Sequence, residues 1–272
     1  MSKLRQALEK ARKDRGEVAR AEVRGIGSAE PSSAAIEEAA LPQYRPIKPV
    51  YTDTKVIQCD DDFLQKNRVI SVCTRDEADR IKILRTQVLN RMSEEGKNTL
   101  MVTSARPGEG KTLTAINLAI SFSHQFNKTV LLVDSDIKKP TLHKYLGLED
   151  GPGLADCLVE KKMVTDGLVN PGMERIVILR GGTPHTNSAE LLGSKKMKAL
   201  LKEMKERYPE RFIIFDSSPV LTSADPLVLA NLVDGILLVV EAEKTKKEDI
   251  LRVLEMMHNK PIIGTVFNKL IE

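Results

Sequence analysis

The sequence predicts a doubly wound α/β fold, a mostly parallel sheet with helices on both faces. The first observation is a series of short apolar runs at 99–104 (TLMVTS), 129–135 (TVLLVDS), 175–180 (RIVILR), 211–216 (RFIIFD), 235–241 (GILLVVE) and 261–267 (PIIGTVF). They are continuous in Val, Ile and Leu rather than alternating, as strands buried on both faces require. The second is that helix-prone stretches near 112–126, 189–207, 225–233 and 245–258 separate them. Strand and helix in alternation pack as a parallel sheet between helical layers. The third is a glycine-rich or acidic segment directly after three of the runs. In open α/β sheets ligands bind at the carboxyl ends of strands.

The chain has 272 residues, enough for one large α/β domain with a sizeable core. Residues 1–24 read as a basic helix-prone arm, with Leu4 and Leu8 four apart. The arm holds eight basic and four acidic side chains, an excess that equals the net +4 of the whole chain. The body is therefore formally neutral. Such an arm either touches an anionic membrane surface or acidic partner, or is a solvated tail. Residues 25–61 read as a flexible Pro/Ser/Ala linker, with Pro31, Pro42, Pro46 and Pro49. Residues 62–272 form the expected P-loop domain, 62–73 docking on the body and 76–92 forming an amphipathic helix with Ala78, Ile81, Leu84, Val88 and Leu89 on one side.

Composition excludes several classes. Aromatics are 4% with no Trp, so base stacking on nucleic acid is a poor expectation, and no nucleic-acid partner is expected. Cys59, Cys73 and Cys157 are too few and scattered for a disulfide framework or a zinc site, and read as free thiols of a reducing compartment. No apolar stretch approaches the roughly 20 residues of a spanning helix. The expected location is cytoplasmic, with any membrane contact peripheral.

The strongest chemical signal is Ala105-Arg106-Pro107-Gly108-Glu109-Gly110-Lys111-Thr112, set between the first strand and a helix of good formers that continues through Leu113. Gly108 and Gly110 let successive backbone N–H groups turn onto phosphates, and the helix N-terminus points at the same anion. Lys111 reaches the β- and γ-phosphates and the Thr112 hydroxyl ligates Mg²⁺. Residues 106–113 thus read as an ATP site. The second run ends in Asp134-Ser135-Asp136, two carboxylates two residues apart that suit Mg²⁺ and an attacking hydroxyl or water. The fourth ends in Asp216, which suits Mg²⁺ held through water. Asp225 either extends this crevice or caps the following helix.

Those three segments, A-R-P-G-E-G-K-T, V-D-S-D-I-K-K-P and I-F-D-S-S-P-V-L, resemble the Walker-type motifs of the bacterial tyrosine kinases, within the larger MinD/ParA-like group. The resemblance spans residues 76–272 and implies a MinD/ParA-like P-loop NTPase fold. It implies an ATP- and Mg²⁺-dependent kinase that regulates exopolysaccharide or capsule chain length and export beside a membrane copolymerase-type partner. It assigns catalysis to Lys111, Asp134, Asp136 and Asp216, one of the first two Asp residues taking the proton from an incoming tyrosine. It assigns metal binding to Thr112, Asp134 and Asp216, and adenine recognition to Asn268. It implies homo-oligomers through Asp79, Lys82 and Arg85. Arg106 occupies the slot of the MinD/ParA signature lysine, and either reaches a phosphate across a dimer or faces solvent. The family's C-terminal tyrosine cluster has no counterpart, since the tyrosines are Tyr44, Tyr51, Tyr145 and Tyr208. Tyr44 and Tyr51 in the linker are the mobile acceptors, or another protein is the substrate, or the protein is an ATPase switch without kinase activity. A ParA-like positioning ATPase is the remaining reading.

Overall fold

A computed structural model describes residues 54–69, 75–94, 96–125, 128–160, 162–208 and 210–270. The basic arm, linker residues 25–53 with Tyr44 and Tyr51, and Cys73 lie outside the described residues.

Among the described residues eight strands form one sheet: β1 (Lys55–Val56), β2 (Thr99–Ser104), β3 (Thr129–Asp134), β4 (Leu168–Asn170), β5 (Ile176–Leu179), β6 (Arg211–Asp216), β7 (Gly235–Glu241) and β8 (Ile262–Asn268). Their order is β1-β4-β5-β3-β6-β2-β7-β8, and every neighbouring pair is parallel except β4–β5. The doubly wound, mostly parallel expectation holds. β1 and β4 are additions to it, and β1 lies inside the stretch expected as linker to residue 61. Strands of two and three residues carry no periodic signature from which to read them.

The central strands bury both faces, and their side chains alternate between two cores. Leu100, Val102, Val130, Leu132, Phe212, Ile214, Leu237 and Val239 face one layer. That layer is α1 (Asp61–Lys66), α2 (Arg75–Arg91), α3 (Lys111–Ser123) and α4 (Leu142–Tyr145), through residues such as Leu64, Val88, Phe122 and Leu142. Phe122 stacks on Phe212 with ring centroids 4.4 Å apart. Met101, Leu131, Val133, Ile213, Phe215, Ile236, Leu238 and Val240 face the other. There they meet α5 (Leu154–Val159), α7 (Ser188–Leu192), α8 (Lys195–Glu206), α9 (Asp225–Leu229) and α10 (Lys247–Met256), α6 (Val164–Gly167) lying between α5 and β4.

The helix expected over 189–207 is two helices. The chain breaks at Gly193, and the Ser194 side chain then accepts from the Met197 N–H to cap α8. The helix expected over 225–233 ends at Leu229. Among the described residues no helix is long and apolar enough to cross a membrane.

Candidate active site

Three adjacent strands, β3, β6 and β2, bring the three segments together. Asp134 and Asp216 are register partners at the ends of β3 and β6, and Val102 of β2 is the other partner of Asp216. The phosphate loop leaves β2 two residues beyond Val102. This places Lys111, at the start of α3, over the carboxylates: its Nζ lies 3.4 Å from Asp136 Oδ2 and 3.6 Å from Asp216 Oδ1. Gly108 and Gly110 have φ of +87° and +97°, a region that only glycine enters freely. At Gly110 a Cβ would also sit 2.0 Å from Asn268 Nδ2.

Burial sets the electrostatics of this cluster. Asp134 and Asp216 are fully buried. Desolvation, with Asp216 beside it, pushes the Asp134 carboxyl up to about 7. Desolvation raises Asp216 as well, against the pull of Lys111 and Thr112. Burial opposes the charge on Lys111, but Asp216, Asp136 and Asp134 together outweigh it and raise its pKa.

The carboxylates differ in what they hold. Asp134 Oδ2 accepts from the N–H groups of Thr141 and Leu142, and Oδ1 accepts from that of Asp136. Asp134 therefore braces the turn that follows β3. Asp216 has neither oxygen in a well-formed hydrogen bond although both are buried. A fully buried carboxylate with no well-formed hydrogen bond, facing Lys111 and the Thr112 hydroxyl, fits a cation held through water or phosphate. Among the described residues no three His, Cys, Asp or Glu side chains are grouped to hold a metal by themselves.

Above the cluster opens a cleft of about 660 Å³, lined by Gly108, Lys111, Thr112, Leu113, Asp136 and Asn268 among others. Sequence reasoning did not assign Arg68, Lys138, Lys139, Tyr145, Thr222, Ser223 and Lys269, which also line it. Lys138 and Lys139 had a signal, since they follow the paired aspartates; Arg68, Tyr145 and Lys269 had none. Asn268 lies against the loop, its Nδ2 donating to the Glu109 carbonyl at 2.9 Å, and Lys269 Nζ donates to the Gly108 carbonyl at 2.7 Å.

Arg106 turns outward. Its guanidinium makes a two-pronged ion pair with Asp249 of α10, at 2.6 and 2.8 Å, and the side chain is 57% exposed. Asp225, with two readings open, is the first residue of α9, buried, and accepts from the Ser188 hydroxyl at 2.7 Å. The oligomerisation residues expected on α2 are engaged within the chain. Lys82 pairs with Asp79 at 2.8 Å, and Arg85 Nη1 donates to the Ser121 carbonyl of α3 at 2.7 Å.

The CobQ/CobB/MinD/ParA nucleotide binding domain family matches residues 100–271, the stretch that contains the phosphate loop, the three aspartates and Asn268. The tyrosine-protein kinase YwqD of Bacillus subtilis (strain 168) is 35% identical over 193 residues, 70% of this chain and 80% of that protein. The chain belongs to the bacterial tyrosine kinases. Among solved structures, the kinase domain of VpsO is 29% identical, with a TM-score of 0.65 over 77% of this chain and 99% of that one. The chimerical protein CapA2B2, 24% identical with a TM-score of 0.68 over 80% of this chain and 94% of that one, shares the fold. The tyrosine-kinase resemblance read from the three motifs is thus shown, and with it an enzyme of the protein-tyrosine kinase type that binds a nucleotide.

Proposed function

We propose that Lys111, Thr112, Asp134, Asp136 and Asp216 form a Mg²⁺-ATP site that transfers the γ-phosphate to a tyrosine hydroxyl. The observation that supports it is the buried cluster under the cleft, one lysine against three carboxylates, one of them fully buried with no well-formed hydrogen bond. Phosphoryl transfer needs positioning and charge neutralisation more than covalent chemistry. When bound, Mg²⁺ supplies positive charge to the phosphate oxygens. Thr112 and Asp216 are its ligands from this chain, directly or through water, with Asp134 behind them fixing the turn that carries Asp136. Asp136, which lines the cleft, takes the proton from the incoming hydroxyl. Lys111, poised over the carboxylates, would neutralise the phosphates. Residues 106–113 cradle the phosphates, and Asn268 offers the polar edge that an adenine base reads.

On this reading the enzyme is cytoplasmic and works at the membrane beside a copolymerase-type partner. There it regulates exopolysaccharide or capsule chain length and export, assembling with itself through the α2 face that carries Asp79, Lys82 and Arg85. The acceptors are Tyr44 and Tyr51. Tyr145 lies in the cleft wall, and Tyr208 carries the Arg211 guanidinium over its ring at 4.0 Å. A second reading, an ATPase switch with water as acceptor, is favoured by the sparse tyrosines.

Incubation with Mg²⁺-ATP, followed by intact mass and peptide mapping, separates the two. Phosphate on Tyr44 or Tyr51, absent in Lys111→Met, is the result expected. Free phosphate released with no phosphotyrosine, on this chain or on its coexpressed partner, would leave the switch.

A further inference from the structure

The phosphate loop contains a carboxylate, which is the wrong charge for a place that receives a triphosphate. Glu109 is 3% exposed, so solvent does little to screen it. A residue retained here against Coulomb repulsion needs a geometric use, and its partners show one. Glu109 Oε2 accepts from the Arg106 backbone N–H at 3.0 Å, closing the loop upon itself. Its other oxygen, Oε1, accepts from the Thr245 hydroxyl.

Thr245 stands in the turn between β7 and α10, and its hydroxyl has a fixed polarity. Its oxygen accepts from the Glu241 N–H at 3.1 Å, and its own N–H donates to the Glu241 carbonyl at 3.0 Å. The single hydroxyl proton is left for Glu109. Both groups that meet Glu109 are therefore donors, which a carboxylate satisfies because it is acceptor-only with two oxygens. Glu241 ends β7, a strand hydrogen-bonded to β2, from which the phosphate loop springs. A continuous path of hydrogen bonds runs from the sheet through Thr245 to the middle of the loop.

We propose that Glu109 and Thr245 are a pair of positioning residues that hold the phosphate loop in its nucleotide-ready shape. The inference rests on the nucleotide site proposed above, and it adds two side chains that face each other rather than the cleft. The loop needs such a pin because Gly108 and Gly110, which give it its curve, are also the residues with most conformational freedom to lose. A loop that visits its binding shape only part of the time binds in proportion to that fraction.

The test measures the affinity of the full chain for Mg²⁺ with a non-hydrolysable ATP analogue in Glu109→Ala, Thr245→Val, Thr245→Ser and the Glu109→Ala/Thr245→Val double variant. Loss of the pin lowers affinity about tenfold in Glu109→Ala and by about three- to tenfold in Thr245→Val. The serine variant, which keeps the hydroxyl, binds like wild type. The double variant is no weaker than Glu109→Ala, because the two residues form one connection. In turnover assays the same variants raise KM for ATP and largely retain kcat, while their melting temperatures stay near that of wild type.

Wild-type affinity in Thr245→Val would overturn the proposal. So would single effects that multiply in the double variant, or a serine variant as weak as valine. If Glu109→Ala does not fold, the valine and serine pair decides alone. A wild-type protein that binds the analogue but forms no phosphotyrosine would remove the kinase reading and leave this series intact.

Discussion

Two sets of charges flank the phosphate loop, and they are built to opposite rules. On the inner side Lys111 faces Asp134, Asp136 and Asp216 at the floor of the cleft, its closest carboxylate contacts being 3.4 and 3.6 Å, longer than tight ion pairs. On the outer side Arg106 grips Asp249 with two short bonds, and Lys269 reaches Glu241 at 3.3 Å, the two cations open to water and their carboxylates only partly exposed. The outer set has the better geometry and the smaller consequence, because solvent screens it. The inner set has imperfect geometry and unspent capacity. Its carboxylates outnumber its lysine, Asp216 has no well-formed hydrogen bond, and every mismatch is felt in a low dielectric. Contact distance alone would rank them in the wrong order; burial ranks them by function.

The largest expected effect follows from removing the inner cation. Lys111→Met should abolish turnover of any acceptor, a loss of at least about a hundredfold. It should also relieve no strain outside the cleft, since the outer pairs stay as they are. A Lys111→Met protein that turns over normally would show that the inner cluster is not the reacting site.

Asp136→Asn sharpens the comparison within the inner set. Asp136 lines the cleft, whereas Asp134 spends its oxygens on backbone N–H groups. The Asp136 variant should bind nucleotide close to normally and lose about a hundred- to ten-thousandfold in transfer, the span of a positioned general base. Binding is read by titration with the ATP analogue and transfer by phosphotyrosine formation. An unchanged transfer rate would place the base elsewhere.

The inner set was legible in the sequence because each member sits in a local pattern: a glycine-rich turn before a helix, or an aspartate closing an apolar run. The outer set and the Glu109–Thr245 pin were not legible. Thr245 is 136 residues from Glu109 and Asp249 is 143 from Arg106, and nothing local marks either partner. They meet because β7 pairs with β2, a fact of strand order that composition does not carry. The central strands were read correctly because burial on both faces leaves a run of Val, Ile and Leu. β1 and β4 at the far side of the sheet, with two and three residues, are too short to leave one. The break at Gly193-Ser194 did have a signal, a glycine followed by a serine cap, which the continuous helical composition around it concealed.

The inner set also predicts a pH dependence that the outer set does not. Burial raises the Asp134 carboxyl from 3.8 to about 7 and raises Asp216 too. Between about pH 4 and 7 the unfolded chain has Asp134 ionised while the folded chain keeps its proton. Folding then binds protons, so this contribution to stability is full below about pH 4 and is lost as pH rises through about 7. The nucleotide-free protein should show a melting temperature that falls over that window relative to Asp134→Asn. Mg²⁺ with the ATP analogue should flatten the slope, because a cation favours the ionised carboxylates. Identical slopes in wild type and Asp134→Asn would mean that Asp134 titrates like an ordinary surface carboxylate.

The smallest effect belongs to the outer pair. Asp249 holds Arg106 outward, and hydrogen bonding to Arg106 holds the Asp249 carboxyl below the usual carboxylate range. The Arg106 guanidinium is open to solvent and screened, so the pair contributes little there despite its good geometry. Arg106→Ala and Asp249→Ala should each leave the melting temperature near wild type and turnover within about a factor of two, with no added loss in the double variant. The contrast with Lys111→Met, five residues further along the same loop, is the point of the experiment. A large loss of turnover in Arg106→Ala with Asp249→Ala unaffected would show that Arg106 leaves Asp249 to act on phosphate, as a clamp within the chain or across a dimer. Equal and small effects in both would assign the pair to holding α10 against the loop, with the chemistry left to the buried side.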